Sequence, residues 1–205
     1  MHTQSLPVME SFYTLQGEGY HQGKAAYFIR LGGCDVGCVW CDVKESWDAD
    51  IHPKYSIEQI VDAAINSVPE GKEKIAVITG GEPLMHDLSA LTLSLQQREF
   101  KTHIETSGAH PLSGVWDWVC LSPKKFKAPL PNILPLVNEL KVVVFNKSDF
   151  DWAESFVTQL HPDCKLYLQP EWDKKEVVMP FIIDYIQQHP KWRLSLQIHK
   201  YIGVP

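Results

Sequence analysis

Three cysteines fall within eight residues, Cys34, Cys38 and Cys41, in the run GGCDVGCVWCD over residues 32–42. Thiolates are soft ligands that select zinc, copper(I) or iron–sulfur clusters. A structural zinc site closes with four ligands, usually as two separated pairs. A [4Fe–4S] cluster normally takes four thiolates. The chain has five cysteines. The other two, Cys120 and Cys164, stand alone within or beside apolar stretches and read as buried small hydrophobes. Either of them, or a histidine, could still be the fourth ligand of a zinc-binding interaction module, which metal analysis would separate from iron and sulfide. Three thiolates on a four-iron cluster would instead leave one iron open to a non-protein ligand, as a catalytic centre requires.

The elements that must hold these thiols alternate along the chain. Strands are expected over 25–31, 74–79, 102–106, 116–122, 139–145, 165–170 and 192–197. Helices are expected over 56–68, 87–99, 149–160 and 174–190, with Pro180 predicting a break or kink in the last. Ser56 with Gln59 forms a capping-box pattern, and Ser148 with Asp151 is a candidate cap. Alternation of this kind predicts βα units and a parallel sheet with ligands at the C-terminal strand ends. Five polar stretches follow strands directly: the cysteine loop, TGGEP, ETSG, SPK and QPEW. They would share one rim. At 205 residues the chain is short for a closed eight-fold barrel, which takes about 250. The expected fold is α/β, a partial (incomplete) TIM-like βα barrel with a mainly parallel sheet, as a single domain over 1–205.

Composition excludes several classes. Hydrophobic residues make up 44% and charged residues 21%, as in a globular protein. The net charge of −6 argues against broad nucleic-acid binding, which wants a basic surface. No stretch reaches the 18 apolar residues of a membrane span, and no basic start leads into a signal-peptide core. A cytoplasmic location is expected, where clustered cysteines bind metal or do redox chemistry rather than form structural disulfides.

The C-x3-C-x2-C loop, followed after a strand by GGE at 80–82, resembles the radical S-adenosylmethionine (SAM) enzymes. In that family the open iron of a [4Fe–4S] cluster chelates SAM, and an electron cleaves SAM to a 5′-deoxyadenosyl radical. The resemblance implies that Gly81 and Glu82 bind the methionine end of SAM and that Glu105, Ser107, Ser122, Pro123 and Lys124 make further SAM contacts. Trp40 fits the family pattern as a shield for the cluster.

Further stretches narrow the resemblance: FYTLQGEGYHQGKAAYFIRLGGC (12–34), IETSG, LSPK, LQP and LSLQIHKYIGVP. Together, from about residue 8 onward, these are similar to the 7-carboxy-7-deazaguanine synthases of queuosine and 7-deazaguanine biosynthesis. That family converts 6-carboxy-5,6,7,8-tetrahydropterin to 7-carboxy-7-deazaguanine and ammonia, uses SAM as a regenerated cofactor and is stimulated by Mg²⁺. By this resemblance Leu15, Gln16, Gly17 and Glu18 contact the pterin, Arg30 takes the substrate carboxylate, Thr79 and Gln169 line the pocket, and His199 and Pro205 close it. A guanidinium suits that task because it grips a carboxylate bidentately. An electron donor such as flavodoxin and a homodimer are implied as well. Glycyl-radical activating enzymes share the three-cysteine spacing and stand as the alternative; the LQGEG stretch and the lack of a second cysteine cluster disfavour them, and dependence of SAM cleavage on the pterin or on a protein partner separates the two.

One position departs from the family. The residue after Cys41-Asp42 is commonly Thr or Ser, whose hydroxyl ligates Mg²⁺; here it is Val43. Hard cations want oxygen. Either Mg²⁺ binds through Asp42, a carbonyl, substrate and water, or the metal dependence is weakened or lost.

Overall fold

The structure, a computed structural model, describes residues 4–205. Nine strands form one sheet: β1 (Ser5–Leu15), β2 (Ala25–Leu31), β3 (Lys54–Ser56), β4 (Ile75–Gly80), β5 (Lys101–Thr106), β6 (Trp118–Leu121), β7 (Glu139–Val144), β8 (Lys165–Pro170) and β9 (Trp192–Leu194). Their spatial order is β3-β1-β2-β4-β5-β6-β7-β8-β9, so the barrel does not close. From β2 onward every neighbouring pair is parallel. Strand β1 pairs antiparallel with both β2 and β3. Five helices accompany the sheet: α1 (Ile57–Ser67), α2 (Ser89–Gln97), α3 (Ser148–Val157), α4 (Lys175–Gln188) and α5 (Ile198–Ile202).

Four expectations need correcting. The strand at 25–31 is the second, because SLPVMESFYTL forms β1; Pro7, Glu10 and a register shift between Val8 and Glu10 obscure its alternation. The capping box of α1 forms as expected between Ser56 and Gln59. That of α3 does not: Ser148 lies inside the helix, and its backbone N–H donates to Asn146 Oδ1 at 2.9 Å. Helix α4 runs unbroken through Pro180; Glu176, whose carbonyl thereby loses an N–H partner, is exposed to water. The last strand is only three residues long.

The two faces of the sheet differ. Side chains alternate along a strand, and Ile29, Leu31, Ile78, Ile104, Leu140, Val142 and Leu168 point outward into the main core, all nearly free of solvent contact. They pack on Ile60, Val61 and Ala64 of α1, Leu91 and Leu95 of α2, Phe150 and Ala153 of α3, and Val178 and Ile182 of α4. Between them in sequence, Arg30, Thr79, Glu105, Lys141 and Gln169 face the concave side and line a cavity. Buried parallel strands usually read as unbroken apolar runs. Polar residues at alternate positions therefore mark an inner face kept for ligands.

The loop 16–24 plugs the floor of this half-barrel. Tyr20 stacks on Trp118 at 4.9 Å between ring centroids, and His21 lies edge-on to Trp118 at 4.5 Å and 4.6 Å from His103. Among the described residues neither nitrogen of His21 has a hydrogen-bond partner. Burial lowers the pKa of His103 from the usual 6.5 to about 4, with the neighbouring His21 adding to the effect, and burial lowers His21 as well. The fold thus holds neutral rings, while the unfolded chain binds protons below about pH 6.5. Stability present above pH 6.5 is lost as pH falls toward 4, by about 3 kcal/mol for His103 alone. Glu18, held at about 2, adds its loss only below the ordinary carboxylate range of about 4.3. Melting temperature should therefore fall between pH 6.5 and 4.5, and a His103→Phe variant should flatten that fall. An unchanged slope in the variant would place the titration elsewhere.

Candidate active site

A cavity of about 490 Å³ opens at the C-terminal ends of the strands and reaches down the concave face. Every stretch that sequence placed on the rim contributes to it. Its shape follows from close backbone contacts that only small residues permit. After β4, the N–H of Gly81 donates to the Leu31 carbonyl at 2.9 Å and that of Glu82 to the Gly33 carbonyl at 2.8 Å. A Cβ on Gly81 would meet the Gly33 carbonyl oxygen at 2.3 Å. The GG pair thus lets the β4 turn lie directly on the base of the cysteine loop.

Cys34, Cys38 and Cys41 line one end of the cavity, packed with Val36, Ala109 and Trp40. Burial pushes the Cys38 thiol up to about 11, against the pull of Lys124, and burial raises Cys34 too. Binding of iron to these neutral thiols would release protons. The loop is pinned from several sides. Gly33 N–H donates to Ser46 O at 2.7 Å and Cys34 N–H to Trp47 O at 3.1 Å. Asp35 accepts from His110 at 2.9 Å and from Lys127 at 2.6 Å. The Trp47 indole donates to Cys41 Sγ at 3.4 Å, a contact of the kind that tunes a cluster's potential.

Among the described residues, no group of three His, Cys, Asp or Glu side chains converges as the ligands of one ion would. A four-iron cubane spreads its ligands over separate iron corners, so three soft donors on one wall fit it. Zinc needs four converging ligands, and the remaining cysteines do not supply one. Cys120 is a buried residue of β6, and Cys164 precedes β8 at the end of the sheet opposite the rim.

The expected SAM contacts divide. Gly81, Glu82, Glu105, Ser107, Ser122 and Lys124 all line the cavity; Pro123 is buried and does not. Glu82 is only 1% exposed. One oxygen accepts from the Thr106 hydroxyl and Leu84 N–H, the other from the Ser107 N–H and hydroxyl. It braces the β4 turn against the end of β5. Lys124 folds back to donate to the carbonyl and hydroxyl of Ser122 at 2.7 and 2.6 Å. Burial lowers its pKa.

All the expected substrate contacts line the cavity: Leu15, Gln16, Gly17, Glu18, Arg30, Thr79, Gln169, His199 and Pro205. Arg30 lies over the Phe12 ring at 5.7 Å, and its Nε is 3.4 Å from Glu10 without hydrogen-bond geometry. The Ile198 N–H donates to the Gly17 carbonyl at 2.9 Å, which lays α5 against the LQGEG loop. Burial keeps the His199 ring below the usual imidazole range.

Several lining residues escaped sequence reading. Lys141 had a detectable signal, a charge in the middle of the apolar run ELKVVVF with Glu139 two residues before it on the same face. Glu171 and Trp172 belong to QPEW, a stretch expected on the rim, though neither was singled out within it; Gln197 had no local signal, because only folding brings the stretch before α5 to the cavity. Gln197 donates to Glu18 at 2.8 Å. Trp172 packs edge-on against Tyr201 at 5.4 Å. Lys200 reaches back to Asp42 at 3.0 Å.

A partial parallel barrel with a three-cysteine loop on its C-terminal rim defines the class of radical SAM enzymes, and the Radical SAM superfamily model matches residues 28–121. That superfamily implies a [4Fe–4S] cluster and SAM. The chain is 54% identical to the 7-carboxy-7-deazaguanine synthase of Flavobacterium psychrophilum, over 98% of this chain and 93% of that one. It is 50% identical to the Synechocystis protein of the same name, over 98% and 95%. The crystal structure of QueE from Escherichia coli superimposes with a TM-score of 0.81 at 33% identity, covering 94% and 93% of the two chains. The chain belongs to the 7-carboxy-7-deazaguanine synthase family. Among the described residues no helix is long and apolar enough to cross a membrane.

Proposed function

We propose that this chain converts 6-carboxy-5,6,7,8-tetrahydropterin to 7-carboxy-7-deazaguanine with loss of ammonia, in the pathway to queuosine and related 7-deazaguanines. One observation carries the reading: the thiols of Cys34, Cys38 and Cys41 and the LQGEG loop line the same cavity. The three thiols hold the cluster, which together with SAM supplies a hydrogen-abstracting radical. Gly81, Glu82, Glu105, Ser107, Ser122 and Lys124 form the SAM side. Glu82 acts there mainly as a brace, since protein donors fill both its oxygens.

Leu15, Gln16, Gly17 and Glu18 hold the flat pterin, with Thr79, Gln169, His199 and Pro205 around it. Arg30 takes the carboxylate; its Nε has no hydrogen-bond partner among the described residues. Fixing both ends of the pterin places one C–H against the radical carbon, where small displacements cost large factors in rate. Phe12 and Phe28, stacked at 5.7 Å, give that end of the cavity an apolar wall. Anaerobic turnover of reconstituted, reduced protein with SAM and the pterin, read by product mass, tests the assignment. SAM cleavage without this product would remove the substrate from it.

The residues present do not fit a Mg²⁺ site. Val43 offers no side-chain oxygen, and the nearby Asp42 carboxylate already accepts from Lys200 at 3.0 Å. Mg²⁺ should stimulate this enzyme weakly. A Val43→Thr variant should respond more strongly in a Mg²⁺ titration of turnover; an unchanged response would remove Val43 as the cause.

The chain acts as one domain and as a homodimer, with an electron donor such as flavodoxin reducing the cluster. Strands β3 and β9 at the sheet edges have three residues each, and short edges resist pairing. Monomeric elution at micromolar concentration would sink the dimer.

A further inference from the structure

Lys141 projects from β7 into the cavity with a side chain only 4% exposed. Three parts of the chain meet at its ammonium. It binds the Glu18 carboxylate of the LQGEG loop, and Glu105 Oε1 of β5 lies 3.8 Å away. Glu18 accepts on its other oxygen from Gln197, just before α5, at 2.8 Å. Glu105 accepts from Gln16 at 2.9 Å, and the Glu18 N–H donates to Gln16 Oε1 at 3.1 Å, closing a ring of contacts.

The charges around this point are unequal. Glu18, Glu105 and Glu139 approach from the loop, β5 and β7, and the Cys120 thiol from β6. Gln169 of β8 is neutral. Lys124 and the His199 ring lie farther off. Lys141 is thus the cation in contact with two of these three carboxylates, Glu18 and Glu105, both partly buried, while Glu139 is buried. Two carboxylates held together without a cation repel each other, which raises the proton affinity of one of them. Burial alone would raise Glu18, yet the charge and hydrogen bond of Lys141 hold it at about 2.

We propose that Lys141 is the positioning residue of this pocket: its ammonium keeps Glu18 ionised, holds Glu18 and Glu105 in place, and so joins the substrate loop, the β5 rim and the segment before α5 into one preformed wall. The inference rests on the proposed pterin site and gives that site a pH-independent acceptor face.

The test has two arms. In the first, reconstituted protein with SAM is titrated anaerobically with the carboxytetrahydropterin by calorimetry, from about pH 5 to pH 9. Wild type should show affinity unaffected by this pair across the range. Lys141→Met should bind about 10²-fold more weakly at pH 7 and regain affinity as pH rises and the shared proton leaves. Lys141→Arg should restore the wild-type profile. Loss of affinity equal at every pH, or none, overturns the proposal. In the second arm, infrared difference spectra without pterin should show a protonated carboxyl band at neutral pH in Lys141→Met but not in wild type. Its absence also overturns the proposal. If Lys141→Met does not fold, a folded Lys141→Arg protein that gains the pH limb overturns it. Wild type that fails to bind the pterin while the infrared contrast stands would defeat the substrate assignment alone.

Discussion

A Cys38→Ala protein will fold, keep its melting temperature within a few degrees, and make no 7-carboxy-7-deazaguanine. Cys38 is a buried thiol on a loop whose anchors are other groups: Ser46 and Trp47 hold its start, and His110 and Lys127 hold Asp35. Replacing one sulfur removes little packing, on the order of 1 kcal/mol. It also removes one of three soft ligands, and a cluster left with two protein thiolates is expected to be lost. The checks are iron and sulfide content, SAM cleavage and product mass on one preparation. Product from a Cys38→Ala protein would mean that these thiols do not carry the chemistry. Cys120→Ser and Cys164→Ser proteins, altered away from the cysteine loop, should keep their iron.

Gly17→Ala should cost about 10²-fold in kcat/KM for the pterin, the usual scale for an ångström of misplacement. A Cβ there would stand 2.0 Å from His199 Nδ1. The ring must therefore move, and α5 with it, since Ile198 bonds to the Gly17 carbonyl. The loss should fall on coupling: SAM cleavage continues while product per SAM cleaved drops. Steady-state kinetics with product and 5′-deoxyadenosine measured together would show this. Wild-type kcat/KM in the variant would mean that the contact between Gly17 and His199 has no part in turnover.

Much of this site was legible because its chemistry is local. The cysteine spacing, the GG turn and the LQGEG stretch are each short runs. Each owes its meaning to a turn or a loop that the next strand end holds in place. The strands at 75–80, 101–106, 139–144 and 165–170 were legible as well, from their apolar residues. What escaped was set by distant partners. Strand β1 carries Pro7 and Glu10 and earns its place only by pairing on both sides. The break expected at Pro180 did not occur, because packing of Val178 and Ile182 on the core outweighs one missing hydrogen bond. Lys141 reads locally as a stray charge; its partners Glu18 and Glu105 lie in other elements. Pro123, named with its neighbours in LSPK, is buried and is not among the residues that line the cavity.

The bond between Glu18 and Gln197 joins residues 179 apart in the chain. Synthesis runs at roughly 5–20 residues per second, so roughly 9 to 36 seconds separate the synthesis of Glu18 from that of this partner. During that time the residues of the cysteine loop and the GG turn, at 32–42 and 80–82, have already been synthesised, while the segment before α5 that completes the pterin wall has not. The thiols that would hold the cluster are thus synthesised long before the residue that completes the substrate wall. Delivery of iron and sulfide only after translation would keep SAM from being cleaved to no purpose.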